Sequence, residues 1–245
     1  MSTNYDFIAE QYKRAKLQPW RAHVESFTLL GVIGDLASKT VVDLACGEGF
    51  YSRILRLNGA ASVTGVDLSE KMIALARQQE AEQPQGIRYL VGDGRNLQLD
   101  EEQDLVVAAY LLNYATNREE LAAMLKGIAG CLKPGGRFVT INSNPAFHFP
   151  AAPSFRKYGF ETRVPGEWRE GAPFHWIFHL AEGPLEIENY HLSVATHEEA
   201  CRSAGFTSIR WHPLRVSPQG QAACEEGYWK ELLFHPPVIC LECVK

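Results

Sequence analysis

The sequence predicts an α/β fold, a doubly wound and mostly parallel sheet of seven strands. Three observations carry this expectation. Runs of branched apolar residues alternate with amphipathic stretches from Thr40 onward. A glycine turn, "ACGEGF" at 45–50, follows the first run. The next two runs each close on an acid, Asp67 and Asp93.

The elements follow in order. The first 36 residues are helical in pattern, with Phe7, Ile8, Tyr12, Val24, Phe27, Leu30 and Ile33 recurring at steps of three and four, and Pro19 divides them into two helices. "TVVDLAC" reads as a strand, "FYSRILRLNG" as a helix, "SVTGVDLS" as a strand, and "SEKMIALARQQEAE" as a helix capped by Ser69. "IRYLVGD" and "DLVVAAYLL" are further strands; "NREELAAMLKGIAGCL" is a helix closed by the turn "KPGG", and "RFVTINSN" is a fifth strand. Strands of this apolar kind, separated by helices, imply a parallel sheet covered on both faces.

After Asn144 the rhythm changes. Residues 145–191 hold proline-rich turns and the alternating stretch "FHWIFHLAEGPLEIENYHLS", a hairpin that turns near Gly183-Pro184. A helix "THEEACRSAG", a strand "FTSIRWHPL", a helix around "CEEGYWKELLF" and a strand "VICLECV" complete the chain, the last without βαβ rhythm and so expected to be antiparallel.

Composition excludes several classes. The net charge of −5 is mild, and Lys and Arg are scattered, so nothing invites nucleic acid. No run approaches the roughly 18–20 apolar residues of a membrane span. The N-terminus lacks the basic start and apolar core of a signal peptide. Six cysteines lie far apart. The one CxxC, Cys240 and Cys243, falls in a strand that points the two thiols to opposite faces. A cytoplasmic protein with reduced thiols is the expectation.

The glycine turn, Ala45-Cys46-Gly47-Glu48-Gly49-Phe50, lets backbone approach a ligand closely. By itself it suits a dinucleotide as well as a nucleoside. Its charge discriminates. Asp43 lies just before the turn and Glu48 within it. Two carboxylates would repel a pyrophosphate but attract a cation. S-adenosylmethionine, with a sulfonium, an ammonium and no phosphate, meets that requirement. Asp67, twenty residues after Gly47, can take both hydroxyls of a ribose, and Asp93 in "GDGRN" can accept from the adenine amino group. An NAD-dependent oxidoreductase shares the ribose acid but should carry a donor such as Tyr-x-x-x-Lys after the fourth strand, where "YLLNYATNREE" has none.

"VVDLACGEGF", "VTGVDLSEKMIALAR", "VGDGRNL", "DLVVAAYLLNYA" and "LKPGGRFV" together resemble the successive motifs of class I S-adenosylmethionine-dependent methyltransferases, over roughly residues 40–141. The resemblance implies a Rossmann-like fold and S-adenosylmethionine as cofactor. It implies that Asp43 supports the glycine turn and the methionine end, that Gly47 and Gly49 admit the cofactor, and that Asp67 holds the ribose. It implies that Leu68 and Met72 pack on the adenine, that Asp93 and Gly94 bind its edge, and that Ala109 and Tyr110 sit near the methionine. The family often has a third glycine where this chain has Phe50.

The opening "YDFIAEQYKR" resembles the lid helix of small-molecule methyltransferases of this class, so Tyr5, Tyr12 and Trp20 are expected to close over cofactor and substrate. The chain then divides into a lid (1–36), a cofactor-binding core (40–144), a substrate cap (145–191) and a closing segment (192–245) of one methyltransferase domain. The cap holds ten aromatic residues in 47 positions, about twice the chain's 11%, and four of the eight histidines. Flat rings with a few polar tips suit a planar heteroaromatic substrate. Candidates to orient it are Tyr5, Trp20, Asn113, His148, His175 and Trp176, with His148 the candidate proton acceptor. His175 and His179 share a strand face without a third ligand, so no metal is expected. O- or C-methylation of another metabolite, or a silent binding module, would use the same cofactor residues.

Overall fold

A computed structural model describes residues 11–95, 99 and 101–245. A helical stretch that includes a π-helical turn, Arg21–Ser26, leads into α1 (Phe27–Ile33). From there strand and helix alternate: β1 (Thr40–Leu44), α2 (Phe50–Leu57), β2 (Ser62–Asp67), α3 (Glu70–Glu82), β3 (Arg88–Val91), β4 (Gln103–Ala109), α4 (Arg118–Gly130) and β5 (Leu132–Ser143). Side-chain oxygens fix two of the helix starts. Ser69 accepts from the Met72 backbone N–H at 3.1 Å, and Asn117 from that of Glu120 at 2.9 Å.

The seven-stranded sheet runs β3-β2-β1-β4-β5-β10-β9. Here β9 is Ser208–His212 and β10 is Val238–Val244. The first five strands are parallel, with Asp43 opposite Gly65 of β2 and Val107 of β4. β10 is antiparallel to both neighbours, with Cys240 opposite Ile141 and His212. Chain order reverses beside β1, because β2 and β4 flank it on opposite sides. In open parallel sheets, ligands bind at such a switch point, outside the carboxyl ends of the strands.

Between β5 and α5 (Val194–Ser203) the chain builds a second, three-stranded antiparallel sheet of β6 (Phe160–Arg163), β7 (Pro173–Leu180) and β8 (Gly183–Tyr190). Alternation along β7 buries Phe174, Trp176 and Phe178 and turns His175 and His179 to the other face. Most of the aromatic residues of this insertion pack on one another. Phe149 lies 4.2 Å from Phe174, and Phe155 5.1 Å from Phe160, between ring centroids.

Three boundaries differ from expectation. β5 begins at Leu132, not Arg137, because Gln103 pairs with Leu132 and Leu105 with Arg137, so "KPGG" bulges out of a continuing strand. The expected helix over "CEEGYWKELLF" shrinks to α7 (Lys230–Phe234), since Gly227 adopts φ +81°, and a short α6 (Pro218–Ala222) forms before it. β6 is a third strand beyond the expected hairpin. The CxxC thiols sit on opposite faces of β10, Cys240 in one hydrophobic cluster and Cys243 in the other, the latter 3.7 Å from the Cys201 sulfur. All six cysteines are free. No described helix is long and apolar enough to cross a membrane.

Candidate active site

At the carboxyl ends of β1 to β4 lies a cavity of about 430 Å³. Ala45 and Gly47 from the glycine turn, Asp67, Leu68 and Met72 after β2, Asp93 and Gly94 after β3, and Ala109 and Tyr110 after β4 line it. Tyr12 from the N-terminal segment and Tyr190 from the end of β8 complete the wall. The fold thus brings together in one cavity ten of the residues singled out in the sequence. Tyr5 lies outside the described residues.

The turn itself needs its glycines for different reasons. Gly49 has φ +84°, and a β-carbon there would lie 2.3 Å from the Tyr89 hydroxyl, so no side chain fits. Gly47, at φ +58°, donates its N–H to Asp67 Oδ2 at 2.8 Å, while Asp67 Oδ1 accepts from Ser69 N at 2.9 Å. A carboxylate has about four acceptor positions, so Asp67 keeps capacity for two further donors. Burial raises the Asp67 pKa, opposed by these two backbone bonds.

Asp43 stands behind the turn, 1% exposed, and accepts from Ser52 Oγ at 2.6 Å. It does not line the cavity; nor do Cys46 and Gly49. Burial, with the neighbouring Asp67 and Glu48 charges adding to it, pushes the Asp43 pKa up to about 7 against the pull of Ser52 and Lys16. Lys16 places its Nζ 3.3 Å from Glu48 Oε2, both side chains buried. Burial disfavours that ammonium, yet Glu48, Tyr12 and Asp43 outweigh it and hold the Lys16 pKa above the ordinary value. The carboxylates expected to attract a cation therefore already face one from the N-terminal segment.

Asp93 already has a partner. Both its oxygens are engaged by Arg95, at 2.5–3.0 Å, and this bonding lowers its pKa. Leu68, 68% exposed beside Asp67, offers an apolar face toward the cavity.

Against the cavity lies a narrow slot with room for about 10 Å³, lined by Tyr12, Arg21, Tyr110, Tyr114, Trp176, Phe178, Ile187 and Asn189. Tyr12, Tyr110 and Tyr114 belong to both walls. Tyr110 and Ala45 are non-glycine residues with positive φ, 64° and 55°, at the ends of β4 and β1. Backbone strain of this kind gathers at functional sites. The Tyr110 hydroxyl donates to Glu25, which also accepts from Arg21 Nη1 at 2.8 Å and from the Tyr51 hydroxyl at 2.6 Å. Burial and then the Glu25 charge push the Tyr110 pKa well above the ordinary tyrosine value.

The remaining candidates lie elsewhere. Trp20 is buried against Phe160, 4.9 Å away, and donates to Gln18, so it closes the core under the second sheet and borders neither space. His148 is exposed, edge-on to Trp168, and lines neither the cavity nor the slot. His175 faces away from Trp176 and meets Glu186 at 2.7 Å on the outer face. Trp176 reaches the slot and donates to Ser143 Oγ at 3.2 Å. Asn113, 4% exposed with both ends of its amide unpartnered, borders a separate water-sized gap beside Asn142, Asn144, Tyr190 and His191.

Arg21, Glu25 and Lys16 went unrecognised in the sequence. A signal existed for the first two. Arg21, Val24, Glu25 and Thr28 are all buried, and steps of three and four place charges on the apolar stripe of a helix, where only a paired function tolerates them.

Residues 41–136 match the family described as "Methyltransferase domain". The chain is 37% identical over 112 residues to a ubiquinone biosynthesis O-methyltransferase of Coxiella burnetii, covering 44% of this chain and 46% of that protein. It is 28% identical over 166 residues to an uncharacterized methyltransferase of Mycobacterium tuberculosis, covering 65% and 80%. This chain spans about half the length of the first of these relatives. A crystal structure of an S-adenosylmethionine-dependent methyltransferase from Mesorhizobium loti superposes over 94% of this chain and 98% of its own, with a TM-score of 0.63 and 26% identity. The fold is the Rossmann-like class I methyltransferase fold, and the cofactor of this fold is S-adenosylmethionine. The residues present fit that group. Asp67 retains acceptor positions beside a bare glycine turn, an exposed leucine follows it, and the cavity has the volume of a small-molecule site.

Proposed function

We propose that this chain transfers a methyl group from S-adenosylmethionine to a ring nitrogen of a small planar heteroaromatic metabolite. The observation that carries the reading is the shared wall: the three tyrosines that border the cofactor cavity also border a slot floored by Trp176 and Phe178. A flat ring seated in the cavity at that wall, with one edge at the mouth of the slot, would lie beside the methionine end of the cofactor. The opening "YDFIAEQYKRAKLQPWR" and the "NSNPAFHF" stretch resemble the N-methyltransferase of toxoflavin biosynthesis, which supports didemethyltoxoflavin as the substrate, methylated on two nitrogens in succession.

In this reading Asp67 holds the ribose, Leu68 and Met72 cover the adenine, and Gly94 and Asp93 meet its edge, the latter once Arg95 yields an oxygen. Gly47, Ala45, Ala109 and Tyr110 surround the methionine end, with Asp43 and Cys46 supporting the turn from behind. The N-terminal segment acts as lid and residues 145–191 as substrate cap. The cofactor supplies a methyl on a sulfonium, a leaving group that departs neutral. What the chain must do is align the ring nitrogen with that methyl and exclude water, and orientation alone is worth several kcal/mol, about 7 or more at best. No histidine lines the slot, and an acidic ring N–H sheds its proton with little help, so positioning outweighs general-base catalysis. The free thiols fit a reducing cytoplasm, where the substrate is a diffusible metabolite rather than nucleic acid or membrane.

Two titrations test the cofactor half. S-adenosylhomocysteine should bind the wild type, and Asp67→Ala should weaken it by at least tenfold, about 1.4 kcal/mol. Binding of NADH in its place would refute the reading. O-methylation is the second reading, favoured by the name of the Coxiella relative. Product analysis with methyl-labelled cofactor and ring substrates carrying both N–H and O–H groups separates the two: label on oxygen alone selects it.

A further inference from the structure

Arg21 is a cation held inside an aromatic cage. Its guanidinium carbon sits 5.0 Å from the Trp20 ring centroid, 5.3 Å from Tyr110 and 5.0 Å from Phe178. Only 3% of the residue is exposed. Nη1 donates to Glu25, but Nε–H has no partner. A buried donor without an acceptor is costly, and native structures keep few of them.

The slot that Arg21 lines has room for about 10 Å³, close to a single water-sized atom. A ring cannot enter there, but one atom on the edge of a ring can. Because Tyr12, Tyr110 and Tyr114 are common to slot and cavity, a ligand seated at their junction has an edge beside the slot that Arg21 lines. Glu25 sets the character of that contact. It fixes the guanidinium through Nη1, accepts from Tyr51 and Tyr110 as well, and neutralises the arginine charge. A neutral pair in an apolar slot suits a carbonyl oxygen, which brings partial charge and lone pairs in the ring plane. A full anion would meet Glu25 at short range.

We infer that Arg21 determines substrate specificity: its Nε–H donates to an in-plane carbonyl oxygen on the substrate ring, with Glu25 the positioning residue that holds it. This rests on the reading of the wall between cavity and slot as the seat of a planar heteroaromatic ring. It adds that the ring must carry an oxo group on the edge facing away from the transferred methyl.

The test uses the full chain saturated with S-adenosylhomocysteine and two probes, quinazoline-2,4-dione and quinazoline, which share a skeleton and differ in their carbonyl oxygens. Calorimetry should give wild-type binding of the dione about tenfold tighter, a discrimination softened because a water can satisfy Nε–H in the complex without carbonyls. Arg21→Lys, which keeps the charge and loses the fork, should bring the ratio within about twofold with homocysteine-form affinity retained. The double variant Arg21→Met/Glu25→Gln leaves no unpaired carboxylate and should do the same, keeping the test open if the lysine variant folds poorly. Glu25→Gln alone should lower dione affinity while leaving quinazoline affinity unchanged, which loss of packing would not do. Equal binding of both probes by the wild type, or discrimination that persists in the Arg21 variants, overturns the inference and leaves the slot reading standing. Homocysteine-form binding with neither probe bound overturns the slot reading and the inference together.

Discussion

Asp43→Asn should make the stability of this protein less sensitive to alkali. Asp43 is 1% exposed, and its pKa in the fold lies at about 7 against the ordinary 3.8. In the unfolded chain the carboxyl is ionised above about pH 5, whereas in the fold it completes ionisation only above about pH 8. Between those limits the folded state binds more protons, so stability falls as pH rises. The shift of about three units corresponds to about 4 kcal/mol lost by pH 8, of which about 3 kcal/mol is lost between pH 5 and pH 8. Asparagine keeps an acceptor for the Ser52 hydroxyl, which now donates at 2.6 Å, and cannot ionise. Urea unfolding of both proteins, without cofactor, at pH 5 and pH 8 measures the effect. The variant should gain about 3 kcal/mol on the wild type between the two, about 5–10 °C in Tm for a chain of this size. A stability difference that is the same at both pH values would refute the claim that burial, relieved only in part by Lys16, keeps Asp43 protonated near neutrality.

Two more outcomes follow from the site. Gly49→Ala places a β-carbon 2.3 Å from the Tyr89 hydroxyl at φ +84°, and thermal unfolding should show a loss of about 1–3 kcal/mol, with weakened S-adenosylhomocysteine binding by calorimetry. Lys16→Met strands the buried Glu48 and should cost about 3–5 kcal/mol in urea unfolding, most of it recovered in Lys16→Met/Glu48→Gln.

The sheet was legible because its strands are buried on both faces and so are written as uninterrupted apolar runs, with caps such as Ser69 marking where helices begin. The cavity at the strand ends was legible for a related reason: its residues stand at fixed offsets from those ends, so Asp67, Leu68, Gly94 and Ala109 are located once the strands are. The slot was not. Which rings of residues 145–191 pack on each other and which reach the slot depends on how the second sheet folds against the first. Phe155 and Phe160 look no different in sequence from Trp176 and Phe178. His148 follows β5 along the chain, yet it is exposed and lines neither space. Arg21 and Glu25 meet Tyr110 across 85 to 89 positions of sequence, a pairing no local pattern encodes.

The wall of tyrosines between cavity and slot has one more consequence. Side chains that touch two ligands are ordered by whichever arrives first, so the second finds them already immobile. Such coupling is reciprocal: the factor by which one ligand improves the affinity of the other is the same in both directions. The two compartments also lie side by side, with Tyr12, Tyr110 and Tyr114 lining both. A single molecule joining an adenosyl group to an oxo-substituted ring through a short tether would fill the cavity and reach the slot with its oxo edge. Its second half would bind at the high effective concentration that a matched linker confers.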